Sequence, residues 1–413
     1  MSKRQVQRQT ETTPWNTSFG GASYDRGFSI IEASNGDLII AGETESYGAG
    51  QSDAYLLRVD QNGTLLWNTS FGGPRADSAR AVIETSGGDL VIAGSIELSR
   101  DNHDYWIIRV NATGHHIWNQ SYGGPDIDYG RAIIECSDSG FAVAGQSRSY
   151  PTGLIGENFW LLRLDTDGTL LWNSSIGGTG YDACNTLLEV STGGFLLTGY
   201  TTSYGSGMED IWVLRVDPTG QPVWNCSVGG TGTDYAWSAI ERSDGNFAVI
   251  GTTRVSSVDN DILLAIIDAN GNLLTSQQFG SSANNEYGYS IVETSSGTFT
   301  LLGRTNGLGA GGYDAYLIHT DQNGLVLWET TLGGAANDTG YAFIACSWGG
   351  YAITGETESY GSNPPNIWLC WCPEGTPATA LVIPGFPREA IILGISTVLG
   401  LGLIHRRQRR RRK

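Results

Sequence analysis

The chain has 413 residues, a net charge of −18, 40% apolar residues, 58 glycines and only 12 prolines. Glycine is at about twice its usual share of roughly 7% without the proline of collagen-like chains, and 13 tryptophans and 18 tyrosines belong to a folded, turn-rich protein rather than a disordered one. Seven of the 24 lysines and arginines fall within residues 406–413, so the rest is more acidic still, and a nucleic-acid-binding body is excluded for want of a basic footprint.

A polar stretch, residues 1–14, comes first and holds no apolar run of the kind that directs export. From residue 15 the chain repeats itself. Trp15-Asn-Thr-Ser-Phe-Gly-Gly21 returns at 67–73, 118–124, 172–178, 224–230 and 328–334, and in a weaker form at 275–280, where Thr275 replaces the tryptophan. A second marker keeps the same period: Gly42, Gly94, Gly145, Gly199, Gly251, Gly303 and Gly355 each close an apolar run. Within one period, segments 78–84, 90–94, 104–110 and 65–70 carry the β-branched and aromatic character of strands. Turns such as Asp60-Gln-Asn-Gly63 and Asp165-Thr-Asp-Gly168 join the third and fourth, glycine supplying the positive φ and aspartate the cap. Four antiparallel strands repeated seven times predict an all-β fold, a seven-bladed β-propeller over residues 15–372. Its first element is a lone fourth strand, 15–19, and its last a third strand, 366–372. Pairing the two completes the seventh blade from both ends and locks the ring.

The Asp-x-x-Gly-x-x-x-Trp run, as in Asp60, Gly63 and Trp67, resembles the tryptophan-docking motif of quinoprotein-like propellers, though it is one residue shorter between Asp and Gly and lacks the threonine before the glycine. The resemblance implies tryptophans packed between neighbouring blades. It does not imply a quinone cofactor.

Residues 373–389 are a proline-rich linker, and 390–404 run uncharged as the expected transmembrane helix, somewhat short for a bilayer. A basic tail follows at 405–413, which the positive-inside rule keeps in the cytoplasm, with the propeller outside. Pro384-Gly-Phe386, the apolar stretch and the arginine cluster together resemble the PGF-type C-terminal sorting signal of archaeal surface proteins, which implies membrane retention; Pro387-Arg388-Glu389 departs from that pattern. Because residues 1–14 carry no export signal, the extracellular reading expects a true start upstream of Met1, and a tail-anchored protein facing the cytosol stays open beside it. Eight sequons (Asn16, Asn62, Asn68, Asn111, Asn119, Asn173, Asn225 and Asn337) are candidate glycosylation sites, five of them inside the repeated strand. The six cysteines read as buried free thiols: Cys136 and Cys346 are equivalent positions of distant blades, and Cys370 and Cys372 are too close for a relaxed disulfide.

Seven acidic positions recur near the start of each first strand: Asp25, Asp77, Asp128, Asp182, Asp234, Glu286 and Asp338. Such a ring at a channel mouth suits Ca²⁺ or another cation; equally, a residue repeated seven times suits a repeated backbone demand. A second set opens the third strands: Asp53, Asp104, Asn158, Asp210, Asp261, Asp314 and Asn366. Tyr47, Tyr150, Tyr204 and Tyr360 occupy equivalent places in the loops after the second strands, either for contact with a partner or for packing. The histidines form no ligand or triad spacing, and no cofactor is expected. The leading expectation is a non-catalytic, membrane-anchored surface module that meets a protein or glycan at an acidic loop face. The alternatives are a surface polysaccharide hydrolase or lyase using the channel-mouth carboxylates, against which sevenfold sameness of environment argues, and a cytosolic tail-anchored scaffold.

Overall fold

The computed structural model describes residues 14–151, 156–282, 284–361 and 365–374. The linker beyond 374, the apolar segment 390–404, the basic tail and residues 1–13 lie outside them. Seven four-stranded antiparallel sheets form the blades of a propeller. Blade I runs Asp25–Glu32, Leu38–Thr44, Asp53–Val59 and Leu65–Phe71, and blades II to VI repeat the pattern. Blade VII takes Asp338–Ala345, Tyr351–Thr357 and Asn366–Cys372 from the end of the repeat and its outer strand, Trp15–Phe19, from the beginning. Trp15 lies opposite Trp371 and Phe19 opposite Ile367 in that clasp.

Burial follows the sequence pattern. Second and third strands are buried along nearly their whole length, as in Leu38–Thr44 and Asp53–Val59, because each sheet is covered by a blade on either side. Fourth strands such as Leu170–Ile176 are largely exposed on the outer rim. Seven apolar clusters fill the seven gaps between blades, including the one between blades VII and I, where Ile367, Leu369 and Trp371 meet Ile40, Tyr55 and Leu57. The tryptophans dock between blades as the resemblance implies. The rings of Trp15, Trp67, Trp118, Trp172 and Trp224 each cover the turn glycine of the following blade (Gly63, Gly114, Gly168, Gly220 and Gly271), and Gln277 takes that place over Gly324. On the same face the Glu32 carboxylate accepts the Ser347 N–H at 2.6 Å, tying blade VII to blade I as Glu84 ties Ser34.

The first-to-second and third-to-fourth turns share one face of the ring. The second-to-third loops and the inter-blade connections share the other, here called the loop face. The last described residues follow Asn366–Cys372 off the face opposite to the loops. Among the described residues no helix is long and apolar enough to cross a membrane.

Candidate functional site

The seven acidic residues open the seven innermost strands, and every one is buried. Asp182 is representative. One carboxylate oxygen accepts the Gly178 N–H at 2.8 Å and the Ser203 hydroxyl at 2.9 Å, and the other accepts the Thr201 hydroxyl. Its own N–H donates to Glu157 O of the preceding blade at 2.8 Å. Asp25 and Asp338 make the same set through Gly21, Ser46 and Thr44, and through Gly334, Ser359 and Thr357. In these blades the acid therefore holds the second glycine of the Gly-Gly pair and the second-to-third loop in place. Of the two uses open to such a ring, the geometry serves the backbone demand, with the oxygens turned into the chain.

The third-strand set lies against it. The first glycine of each Gly-Gly pair sits between a third-strand side chain of one blade and the acid of the next. A Cβ at Gly333 would lie 1.7 Å from Asp314 Oδ1 and 3.1 Å from Asp338 Oδ2, which explains why glycine recurs there. Two carboxyls thus approach one another in a buried junction. Burial, reinforced by Asp338, raises Asp314 to about 7, and burial with Asp128 raises Asp104 to about 6. Among the described residues, Oδ1 of both is buried without a hydrogen-bond partner. Asn158 and Asn366 fill the same position in blades III and VII without the charge.

This predicts a pH dependence. A carboxyl raised on folding is protonated in both states below about pH 4. Between pH 4 and 7 only the unfolded chain ionises freely, so stability falls as pH rises and the loss is complete above 7. Asp314→Asn should therefore melt with the wild type near pH 3.5 and above it at pH 8. The upper bound of the gain is about 4 kcal/mol, at about 1.4 kcal/mol per pKa unit. Calorimetry at the two pH values checks this, and a variant less stable than wild type at pH 8 would rule out the strained pair.

The loop tyrosines are half exposed and also packed. Tyr47 and Tyr150 donate to the Gly20 and Gly123 carbonyls at 2.8 and 2.9 Å, and Tyr204 and Tyr360 do the same to Gly177 and Gly333. The rings of Tyr47, Tyr204 and Tyr360 stack on Tyr55, Trp212 and Trp368, and that of Tyr150 packs tilted against Trp160. Both uses meet in one side chain, with Tyr47, Tyr150 and Tyr204 each more than 40% exposed. Three of the sequon asparagines, Asn119, Asn173 and Asn225, accept the indole N–H of Trp106, Trp160 and Trp212. The six cysteines are free thiols, five of them buried. Asp259, Asp261 and Glu286 bring carboxylate oxygens within 4.8 Å of one another between blades V and VI, but both Glu286 oxygens already accept bonds, from Thr305 and Ser281.

Sequence reading overlooked the residues that line the channel. Every innermost strand has a β-bulge at its third or fourth residue, where the pairing register skips one position. The skipped residues are Phe28, Arg80, Arg131, Asn185, Trp237, Tyr289 and Tyr341, and all seven line the central channel near the loop face. The bulges explain the second marker glycines. Each lies opposite a bulge, and a Cβ at Gly42, Gly94 or Gly355 would come 1.8 Å from the backbone oxygen of Arg26, Ser78 or Thr339. Where the acids scarcely vary, the channel residues differ, and they sort by side. Phe28, Tyr341, Tyr289 and Trp237 form an aromatic arc, with successive centroids 5.7, 5.5 and 6.0 Å apart. Arg80, its guanidinium 3.9 Å from the Phe28 ring centroid, and then Arg131 continue the ring of channel residues around a cavity of about 380 Å³, which Arg26 and Arg304 also line.

No family model matches the chain. Regulatory protein FlaEY of Caulobacter vibrioides is 28% identical over 134 residues, which are 28% of this chain and 14% of that protein. Among solved structures, the Neurospora crassa Pan2 WD40 domain aligns over 89% of this chain and 98% of its own at 11% identity and a TM-score of 0.50. Puromycin hydrolase, as the S511A mutant complexed with PGG, aligns over 86% of this chain and 55% of its own at 11% identity and a TM-score of 0.54, so the match takes in about half of that enzyme. At such identities the likeness is one of fold, and with the seven closed sheets it makes the chain a seven-bladed β-propeller.

Proposed function

We propose that this protein is a membrane-anchored cell-surface propeller that binds, without catalysis, at its loop face. One observation carries the reading: the positions repeated in all blades are consumed in holding the ring, whereas the positions that vary meet at the loop face and its channel. A propeller of this kind is a rigid platform suited to protein binding, with loops free to differ around it. A hydrolytic reading through the repeated carboxylates is weakened by their burial and by the hydrogen bonds that occupy them. Anchoring rests on the uncharged stretch 390–404 and the basic residues after it. An anchor leaving from the face opposite the loops would turn the loop face away from the membrane, toward a protein or glycan partner. The sequons at the exposed strand positions Asn119, Asn173 and Asn225 fit a glycosylated outer rim.

Protease treatment of intact cells tests the reading, with the mass of the membrane-bound form measured alongside. Removal of the propeller by external protease is expected, with the fragment 373–413 retained or trimmed. Protection until the cells are broken would overturn the surface assignment and favour the cytosolic scaffold.

A further inference from the structure

We propose that the channel mouth binds a ring bearing a carboxylate, the ring lying on the aromatic arc and the carboxylate meeting Arg131 and Arg80. The inference rests on the loop face being the binding surface, and it is independent of the anchor.

The charge balance of the cavity supports it. In a chain of net charge −18, four guanidiniums line this one space, and the carboxylates within ion-pair distance of them are Glu43 and Glu356. Glu356 lies 2.7 Å from Arg26, and its other oxygen accepts the Tyr341 hydroxyl at 2.6 Å. Glu43 is shared between Arg26 and Arg80 at 3.4 Å each. Arg131 has no carboxylate partner among the described residues and donates only to the neutral Gln146 amide, at 2.9 Å. Arg304 is held over the rings of Tyr287 and Tyr313, with Nε buried and without a hydrogen-bond partner among the described residues. Burial, with Arg131 and Arg26 beside it, pulls Arg80 below the usual guanidinium range, although 36% of its side chain remains open to water. An excess of cations in a narrow, partly dry space focuses field on an incoming anion. The planar fork of arginine can take both oxygens of a carboxylate in a bidentate pair.

The aromatic arc decides the rest of the ligand. Trp237 leaves 37% of its surface exposed inside a channel where its neighbours are half buried. The four aromatic rings of the arc are inclined to one another by 43°, 72° and 64°, so they offer separate ring faces and edges, the most open being that of Trp237, for which a saccharide or aromatic ring is the complement. Asn185 stands between the arcs, its amide donating to Ala236 O at 2.8 Å and leaving its carbonyl oxygen for a ligand hydroxyl. Two sources of this chemistry, a uronic-acid residue and an aromatic acid, are separated by the probe.

The test is titration calorimetry of the full chain with D-glucuronate, digalacturonate, benzoate, D-glucose and tricarballylate. A carboxylated ring should bind, the saccharide acids or benzoate naming the source, and affinity should fall as sodium chloride is raised. Glucose, which has a ring but no charge, and tricarballylate, which has charge but no ring, should bind at least about tenfold more weakly, a difference of about 1.4 kcal/mol. Arg131→Gln and Trp237→Ala should each weaken binding by a similar factor while melting within a few degrees of wild type. If one of them fails to fold, the other, with Arg131→Lys, carries the test. No heat with any carboxylated ring, equal binding of glucose or tricarballylate, or variants that bind like wild type would overturn the inference. The surface assignment would then still stand or fall on the protease result.

Discussion

Replacing Gly94 with alanine is expected to cost more than about 3 kcal/mol and to melt blade II before the rest. The added methyl would stand 1.8 Å from Ser78 O and 2.8 Å from Ser78 C, both backbone atoms of the bulge. No side chain can swing aside, and the glycine lies mid-strand with completely buried residues around it. Either the bulge flattens, which withdraws Arg80 from the channel, or the two inner strands part. Gly88→Ala is the control. That glycine sits in a turn at φ 85° with nothing within 4 Å of the new atom, so the expected cost is only the left-handed strain, about 1 kcal/mol. Urea midpoints for both variants, with hydrogen exchange resolved by blade, check the pair. Equal midpoints would show that the bulge is not fixed by the glycine opposite it.

That relation marks where the sequence was legible. The Trp-Asn-Thr-Ser-Phe-Gly-Gly copies and the marker glycines give blade number, register and closure, because a repeat displays its fold seven times over. The junction acids were equally visible, but their purpose was not. A carboxylate offered to a cation and one capping a loop look alike until the Ser46 and Thr44 hydroxyls are seen to converge on Asp25. The channel residues were hidden for a different reason. Strand reading rests on strict alternation, and Arg80 or Trp237 occupies the one position where a bulge breaks it. Aligning the repeats on their acids and reading the third position onward would have exposed the column Phe28, Arg80, Arg131, Asn185, Trp237, Tyr289 and Tyr341. The expected acidic loop face is thus corrected at its centre, where guanidiniums outnumber carboxylates. Sameness among repeats reports on the ring, and difference at a shared place reports on what the ring holds.

The clasp carries the second large effect. Deleting residues 1–19 leaves the third strand of blade VII, Asn366–Cys372, as a bare edge and uncovers Gly63 where Trp15 had packed. A cost of order 5 kcal/mol is expected, comparable to losing one large aromatic from a core, together with association of the open edges at micromolar concentration. A peptide of residues 14–23 supplied in trans should reclose the ring by strand addition and raise the melting temperature with its concentration. A peptide of residues 66–75 should do almost as well, since Trp67 to Gly73 repeats Trp15 to Gly21 residue for residue. The specificity of closure then lies in connectivity rather than in the strand: within one chain the correct outer strand of each blade is tethered by a turn, while Trp15–Phe19 alone must find its partner across the ring. A truncated chain that stays monomeric with an unchanged melting temperature, or a rescue confined to the 14–23 peptide, would refute this account of closure.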